Sequence, residues 1–341
     1  MEKIRLGRTD LMVSRSGFGA LPIQRISFDD TKEILREAYN NGINFFDTAR
    51  AYTDSEEKIG YALSDIRHDI IIATKSHAED KKTLFEHLET SLKNLKTDYI
   101  DVYQIHNLEK MPNPEDPDGP YAGLMEAKKK GLIRFLGITN HSIKNAIEAA
   151  ESNLYDTIQF PLNSLSSDED LKLIQVCKDK DLGVIAMKAM SGGLITNPAS
   201  TFAFLRQYDN LVPIWGIQRM KELKEFIELE KNPPMLDEEM WQVIKKDRAE
   251  LAGDFCRGCG YCLPCPAGID IPNQARISLM MNRSPYEEFL EDSFKDKMDL
   301  INNCINCGNC KNHCPYKLDT PNLLKRELKK YHEFYEEHKN K

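Results

Sequence analysis

The sequence predicts an α/β architecture: a (β/α)8 TIM barrel followed by a small, mainly α-helical domain. Two observations carry this. Over residues 1–231, eight short apolar runs alternate with amphipathic stretches, and eight strand–helix units are the number that closes a parallel barrel. Beyond them, eight of the nine cysteines fall in two short clusters, the mark of a separate, metal-organised unit.

The elements follow in order. Ile4 to Val13, with Gly7 midway, reads as a hairpin able to plug the bottom of the barrel. The strand candidates are Ser16–Ala20, Ile43–Phe46, Ile70–Thr74, Tyr99–Ile105, Ile133–Ile138, Thr157–Phe160, Gly183–Met187 and Leu211–Gly216. Between them lie helical patterns such as Leu84, Phe85, Leu88, Leu92 and Leu95, spaced to bury one face. Gly42, Gly131 and Gly183 each follow a helical stretch and precede a strand, as C-terminal helix stops do. Asn232-Pro233-Pro234 closes the barrel at residue 231 and opens a linker, 232–252. Within it, Asp237 to Ala252 reads as a helix. Residues 253–341 form the second domain, with helical stretches around Gln274–Asn282 and Tyr286–Phe294 and a charged terminal segment from Asn322 to Lys341.

Composition excludes some functions. A net charge of −8 argues against a nucleic-acid partner, because phosphate contacts need clustered Lys and Arg. No run of 18 apolar residues offers a membrane span. Reduced cysteines and the lack of an apolar leader after Met1 point to the cytoplasm.

The cysteines read Cys256, Cys259, Cys262 and Cys265-Pro266, then Cys304, Cys307, Cys310 and Cys314-Pro315. The second run is C-x2-C-x2-C-x3-C-P, the bacterial ferredoxin pattern for a [4Fe–4S] cluster. The first is one residue shorter before its last cysteine. Three thiolates at i, i+3 and i+6 wrap three irons of a cubane, and the fourth iron takes a cysteine from the other run. Cys256, Cys259 and Cys262 would therefore join Cys314, and Cys304, Cys307 and Cys310 would join Cys265, giving two [4Fe–4S] clusters. Structural zinc is the competing reading, but zinc sites usually use separated C-x2-C pairs. Disulfides are the other, and a chain of this length needs no staples.

In a (β/α)8 barrel, chemistry sits where the strands end. The second strand ends in Asp47, with Tyr52 five residues on. The third ends in Thr74-Lys75, and the fourth in Ile105-His106. These groups suit carbonyl reduction. Tyr52 can give a proton to a developing alkoxide, but its ordinary pKa near 10 makes it sluggish at neutral pH. A neighbouring ammonium, Lys75, favours the phenolate. Asp47 would anchor and charge Lys75, and His106 would orient the carbonyl oxygen.

Through Asp47, Tyr52, Lys75 and His106, matched in order and strand position, residues 1–231 resemble the aldo/keto reductases. Met187 and Lys188, departures from the commoner residues of that family, suggest its subgroup with a ferredoxin-type tail. The resemblance implies a small carbonyl or alcohol substrate and NADP(H) lying extended across the barrel mouth, with NAD as the variant. No G-x-G-x-x-G is present. It further implies that Thr139, Asn140 and Gln159 hold the nicotinamide carboxamide. Ser191-Gly192-Gly193-Leu194 follows the seventh strand, where two glycines let backbone N–H groups approach a pyrophosphate. Gln218, Arg219 and Glu225 follow the eighth, and Arg219 suits a 2′-phosphate. Met187 stands where most relatives stack a tyrosine, Lys188 where a serine is commoner, and Phe226 where an adenine-contacting Asn usually lies.

Hydride moves two electrons together and a cubane passes one, so coupling the halves raises a difficulty that a flavin would solve, and no flavin signature is present. A one-electron redox partner, or a barrel that mainly docks such a partner, is one alternative. Purely structural or regulatory clusters are the other.

Overall fold

The computed structural model describes residues 1–108, 110–251, 255–283 and 286–339. Ala252, Gly253 and Lys341, which bound the expected linker and second domain, lie outside the described residues. Two compact units are present. One comprises Met1–Met190 and Asn197–Ile244, the other Ser191–Thr196 and Lys245–Lys341.

The first unit is a closed, all-parallel eight-stranded barrel. Its strands are β3 (Gly17–Gly19), β4 (Phe45–Asp47), β5 (Ile71–Ser76), β6 (Ile100–His106), β7 (Ile133–Thr139), β8 (Thr157–Pro161), β9 (Gly183–Met187) and β10 (Leu211–Gly216), and β10 pairs back onto β3. All eight expected strands are therefore present, with ends shifted by a few residues. The opening hairpin is β1 (Lys3–Arg5) paired antiparallel with β2 (Met12–Ser14). Eight helices join or follow the barrel strands: α1 (Phe28–Asn40), α2 (Ser55–Leu63), α3 (Lys81–Leu95), α4 (Pro120–Lys129), α5 (Ile143–Ser152), α6 (Asp168–Asp179), α7 (Pro198–Arg206) and α8 (Met220–Lys231). Several begin on the caps their sequences offer. Ser27 accepts from the Asp30 N–H, Asp80 from Thr83, and Ser167 forms a capping box with Asp170.

Period-two alternation sorts the strand residues. One set faces the helices: Phe46, Ile72, Tyr103, Ile105, Leu136, Ile138, Ile158 and Val184 join the main core. The other set fills the barrel. Phe45, Ile71, Ala73, Val102, Ile185, Met187, Val212 and Ile214 pack with Ile4, Leu6, Leu11 and Val13 of the hairpin. The hairpin therefore plugs the barrel. Gly7 makes this fit, with φ +51 and no room for a Cβ, which would stand 2.2 Å from the Gly183 nitrogen.

Gly183 differs from its expected role as a helix stop. Asp181 takes the left-handed turn at φ 56. Gly183 already belongs to β9, where a Cβ would stand 2.7 Å from the Leu6 side chain.

α9 (Glu238–Glu250) leads toward the second unit. That unit carries α10 (Ile271–Gln274), α11 (Ile277–Met281), α12 (Asp292–Asp299), α13 (Asn309–Asn312) and α14 (Thr320–His338). Its core gathers Ile269, Ile271, Ile277, Phe289, Met298, Ile301, Leu324 and Tyr331, and the Tyr331 hydroxyl donates to the Phe289 carbonyl at 2.7 Å. Among the described residues, no helix is long and apolar enough to cross a membrane.

Candidate active site and cysteine centre

The inward columns of β4, β5 and β6 begin apolar and end polar. Phe45 is followed by Asp47. Ile71 and Ala73 are followed by Lys75. Val102 is followed by Gln104 and His106. Alternation thus delivers an acid, an amine, an amide and an imidazole to one end of the barrel, above a sealed apolar floor.

Lys75 Nζ lies 2.7 Å from Asp47 Oδ1 and 2.7 Å from the Thr48 carbonyl. Both side chains are almost wholly buried, at 1% and 3% exposure. Gln159 Nε2 donates to Asp47 Oδ1 at 3.3 Å and Gln104 Nε2 to Oδ2 at 3.4 Å. Burial is the larger influence on this ion pair. It raises the Asp47 carboxyl and lowers the Lys75 ammonium, while each charge partly restores the other.

Tyr52 is half-buried on the loop before α2. Lys75 Nζ sits over its ring, 5.4 Å from the centroid. Burial, reinforced by the Asp47 charge, pushes the phenol well above its ordinary value. The His106 ring meets Tyr52 edge-on with centroids 6.1 Å apart. Burial, helped by His77, Lys75 and His141, holds His106 well below the usual histidine value, so it is neutral at neutral pH. The structure therefore brings Asp47, Tyr52, Lys75 and His106 together.

Four neighbours escaped sequence reasoning. Gln104 stands two residues before His106 on the same inward column, a signal that alternation could have supplied. His77 is exposed and stacks on His106, with ring centroids 3.9 Å apart. His87 shares a 2.7 Å hydrogen bond with the Ser76 hydroxyl. Glu56 is buried behind Lys75, accepts from Thr74 Oγ1 at 2.7 Å, and is raised by burial.

The residues expected around the nicotinamide fall into groups. Thr139 ends β7 and Met187 ends β9, and the Thr139 hydroxyl points at the Met187 sulfur, 3.9 Å away. Gln159 is buried, and its Oε1 has no partner among the described residues. A carboxamide N–H₂ would satisfy that acceptor, so these residues fit the group. Asn140 also braces its own turn, donating to the Leu108 carbonyl at 3.2 Å and accepting from the Ser142 N–H at 2.7 Å. Lys188 adopts φ 56, with its carbonyl accepting from Asn163 Nδ2 at 3.0 Å. Gln218 is half-buried, and its N–H donates to Glu222 at 3.0 Å. Arg219 is exposed and pairs with Glu222, Nε to Oε1 at 2.7 Å. Glu225 is exposed on α8. Phe226 stacks on Trp215 at 4.4 Å and belongs to the core.

Gly192, Gly193 and Leu194 group with the second unit. There Arg276 Nη1 donates to the Gly192 carbonyl at 3.0 Å, and Arg283 Nη1 donates to the Leu194 carbonyl at 2.6 Å. Arg283 is itself held by Asp247 at 2.9 Å.

In the same unit, Cys262, Cys265, Cys304, Cys307 and Cys310 line one pocket. Its walls include Pro266, Ile269, Ile271, Pro321 and Leu324. Cys256, raised chiefly by burial, also feels Cys259, Arg276 and Cys314. Among the described residues, no three His, Cys, Asp or Glu side chains converge tightly enough to hold one metal ion. In a cubane each thiolate takes a different iron, so its ligands stand further apart. A pocket lined by five thiols with apolar walls fits that group. Cys177 is fully buried in α6, and burial pushes its thiol up to about 12, as suits a core residue.

Comparison with known proteins agrees. Residues 16–207, more than half of the chain, match the model of the aldo/keto reductase family. Residues 255–319 match the model described as a 4Fe-4S dicluster domain. The uncharacterized oxidoreductase YqkF of Bacillus subtilis (strain 168) is 32% identical over 214 residues, covering 58% of this chain and 67% of that protein. L-galactose dehydrogenase of Arabidopsis thaliana is 30% identical, over 56% of this chain and 66% of its own. The NADH-specific methylglyoxal reductase of Escherichia coli (strain K12) is 29% identical, over 58% and 69%. Among solved structures, the holo form of aldo-keto reductase AKR11C1 from Bacillus halodurans shares the fold, with a TM-score of 0.62 at 23% identity over 72% of this chain and 96% of that one. The chain spans about two thirds of the length of the curated relatives it matches. It belongs to the aldo/keto reductase family. It is an oxidoreductase of that family with an iron–sulfur domain.

Proposed function

We propose that the barrel reduces a small carbonyl compound with hydride from NADP(H), and that the second unit carries two [4Fe–4S] clusters for one-electron transfer. The observation that carries the first part is the buried 2.7 Å Lys75–Asp47 pair, with Tyr52 and His106 grouped at the same end of the barrel. Bound NADPH would supply the hydride. Tyr52, protonated because burial raises it, gives its O–H proton to the carbonyl oxygen as charge develops there. Neutral His106 donates a ring N–H to the same oxygen and orients it. Lys75, kept charged by Asp47, stabilises the phenolate that Tyr52 becomes. Gln159, with Thr139 and Asn140, holds the nicotinamide carboxamide, and Arg219 meets the 2′-phosphate.

In the second unit, Cys256, Cys259, Cys262 and Cys314 would hold one cluster, and Cys304, Cys307, Cys310 and Cys265 the other. All four thiols of the second set line one pocket, which supports that grouping, and Cys262 of the first set lines it as well. We place the protein in the cytoplasm.

The test is NADPH oxidation against a panel of aldehydes with anaerobically purified protein. Tyr52→Phe should slow turnover about 10²–10⁴-fold, the usual worth of a positioned acid, with NADPH affinity nearly unchanged. Undiminished turnover would remove Tyr52 from the reaction.

A further inference from the structure

We propose that the exposed edge of the second cysteine run is the docking surface for a small acidic one-electron carrier protein. The proposal rests on the reading that this run holds a cluster. Three observations lead there.

First, the pocket lined by Cys265, Cys304, Cys307 and Cys310 is not sealed on every side. Cys307 is exposed, and Ile305 beside it is 68% exposed. The turn at Asn306, φ 53, follows directly. A large apolar side chain is thus presented to water at the rim of the pocket it helps to line, the kind of anchor that small transient interfaces use.

Second, the surrounding charge is opposite to that of the protein. The chain carries net −8. Yet from Asn302 to Lys330 the exposed charged side chains are Lys311, Lys317, Lys325, Arg326, Lys329 and Lys330 against the carboxylate of Asp319, with exposed Glu333, one turn further on, standing 3.9 Å from Lys329. Glu327 is buried, where it takes Lys330 at 3.1 Å. Asp319 stands 3.8 Å from Lys311, and both are about half exposed, a pairing too weak to cancel the patch.

Third, the cations sit on the elements that build the pocket. Lys311 follows Cys310 on α13, and Lys325 and Arg326 follow the pocket-lining Leu324 on α14. An apolar spot ringed by Lys and Arg attracts and orients an acidic partner and repels a basic one.

The transfer balances simply. One electron leaves the reduced cluster, which returns to its oxidised state, and enters the carrier, which is reduced by one. No covalent bond is made or broken.

The test uses the full-length holoprotein, reduced with dithionite and freed of excess, and a strongly acidic plant-type [2Fe–2S] ferredoxin as probe. Affinity for the oxidised ferredoxin is read by surface plasmon resonance, and the electron-transfer rate by stopped flow. Both should weaken by about tenfold or more between low and physiological salt, as steered association does. The double variant Lys311→Glu/Lys325→Glu should weaken both about 10–100-fold while retaining wild-type iron and sulfide content. Salt-independent rates, equal rates for the variant, or equal binding of a basic cytochrome c would each overturn the docking surface. Failure of the underlying reading looks different: the wild-type protein would lack iron and sulfide, or would pass no electron to neutral benzoquinone.

Discussion

Asp47→Asn is the sharpest perturbation of the barrel site, because it leaves the buried, charged Lys75 without its hydrogen-bonded counter-charge, with Glu56 acting only through space. Lys75 is 1% exposed, and its remaining partner would be the Thr48 carbonyl. Removing one member of a buried ion pair costs about 3–5 kcal/mol. Lys75→Met costs a similar amount by stranding Asp47, although the amide donors of Gln104 and Gln159 remain. Removing both charges together is often close to neutral. The double variant should therefore lose at least about 2 kcal/mol less than the sum of the singles.

Both tryptophans, Trp215 and Trp241, lie in the barrel unit, so urea unfolding followed by intrinsic fluorescence reads that unit alone. The effect of Asp47→Asn should also depend on pH. Lys75 already lies below its ordinary 10.5 in the folded protein, so the unfolded chain binds that proton more tightly. Loss of Asp47 lowers the folded value further. The cost is then fully present at pH values below the folded value and shrinks as pH rises toward 10.5. Additive singles, or a cost that grows with pH, would refute the anchoring role of Asp47.

Two further outcomes are expected. Arg219→Ala should weaken NADPH more than NADH, and Glu222→Gln, which releases Arg219 from its 2.7 Å bond, should tighten NADPH selectively; fluorescence titration reads both, and equal changes for the two cofactors would sink the assignment. Cys307→Ser should lose mainly one of two clusters, seen as roughly half of the wild-type iron and sulfide, whereas unchanged iron or stoichiometric zinc would contradict it.

Much of this was legible in the sequence because strands and barrel chemistry are periodic. The run from Ile70 to Thr74 corresponds to β5, and the residues ending the second, third and fourth apolar runs form the polar ends of inward columns. Tertiary contacts carried the rest. Gly183 looked like a helix stop, yet Leu6 of the hairpin explains it better, and nothing local announces that approach. His77 lies past the end of β5, where alternation gives no direction, so its stack on His106 was invisible. Arg276 and Arg283 reach the carbonyls of Gly192 and Leu194 across 84 and 89 residues of sequence. Gln104 was within reach of the period-two rule applied one step further back along β6.

The central claim is that hydride passes at the barrel site from the nicotinamide to a carbonyl carbon. The most direct test follows the label from NADPH deuterated at C4 on the transferred face, using anaerobically purified protein and an accepted aldehyde. One deuterium per alcohol formed is expected, on the former carbonyl carbon, with the same product labelling at a far lower rate in Tyr52→Phe. NADPH consumption with unlabelled alcohol, or with electrons appearing only in a one-electron acceptor, would contradict it.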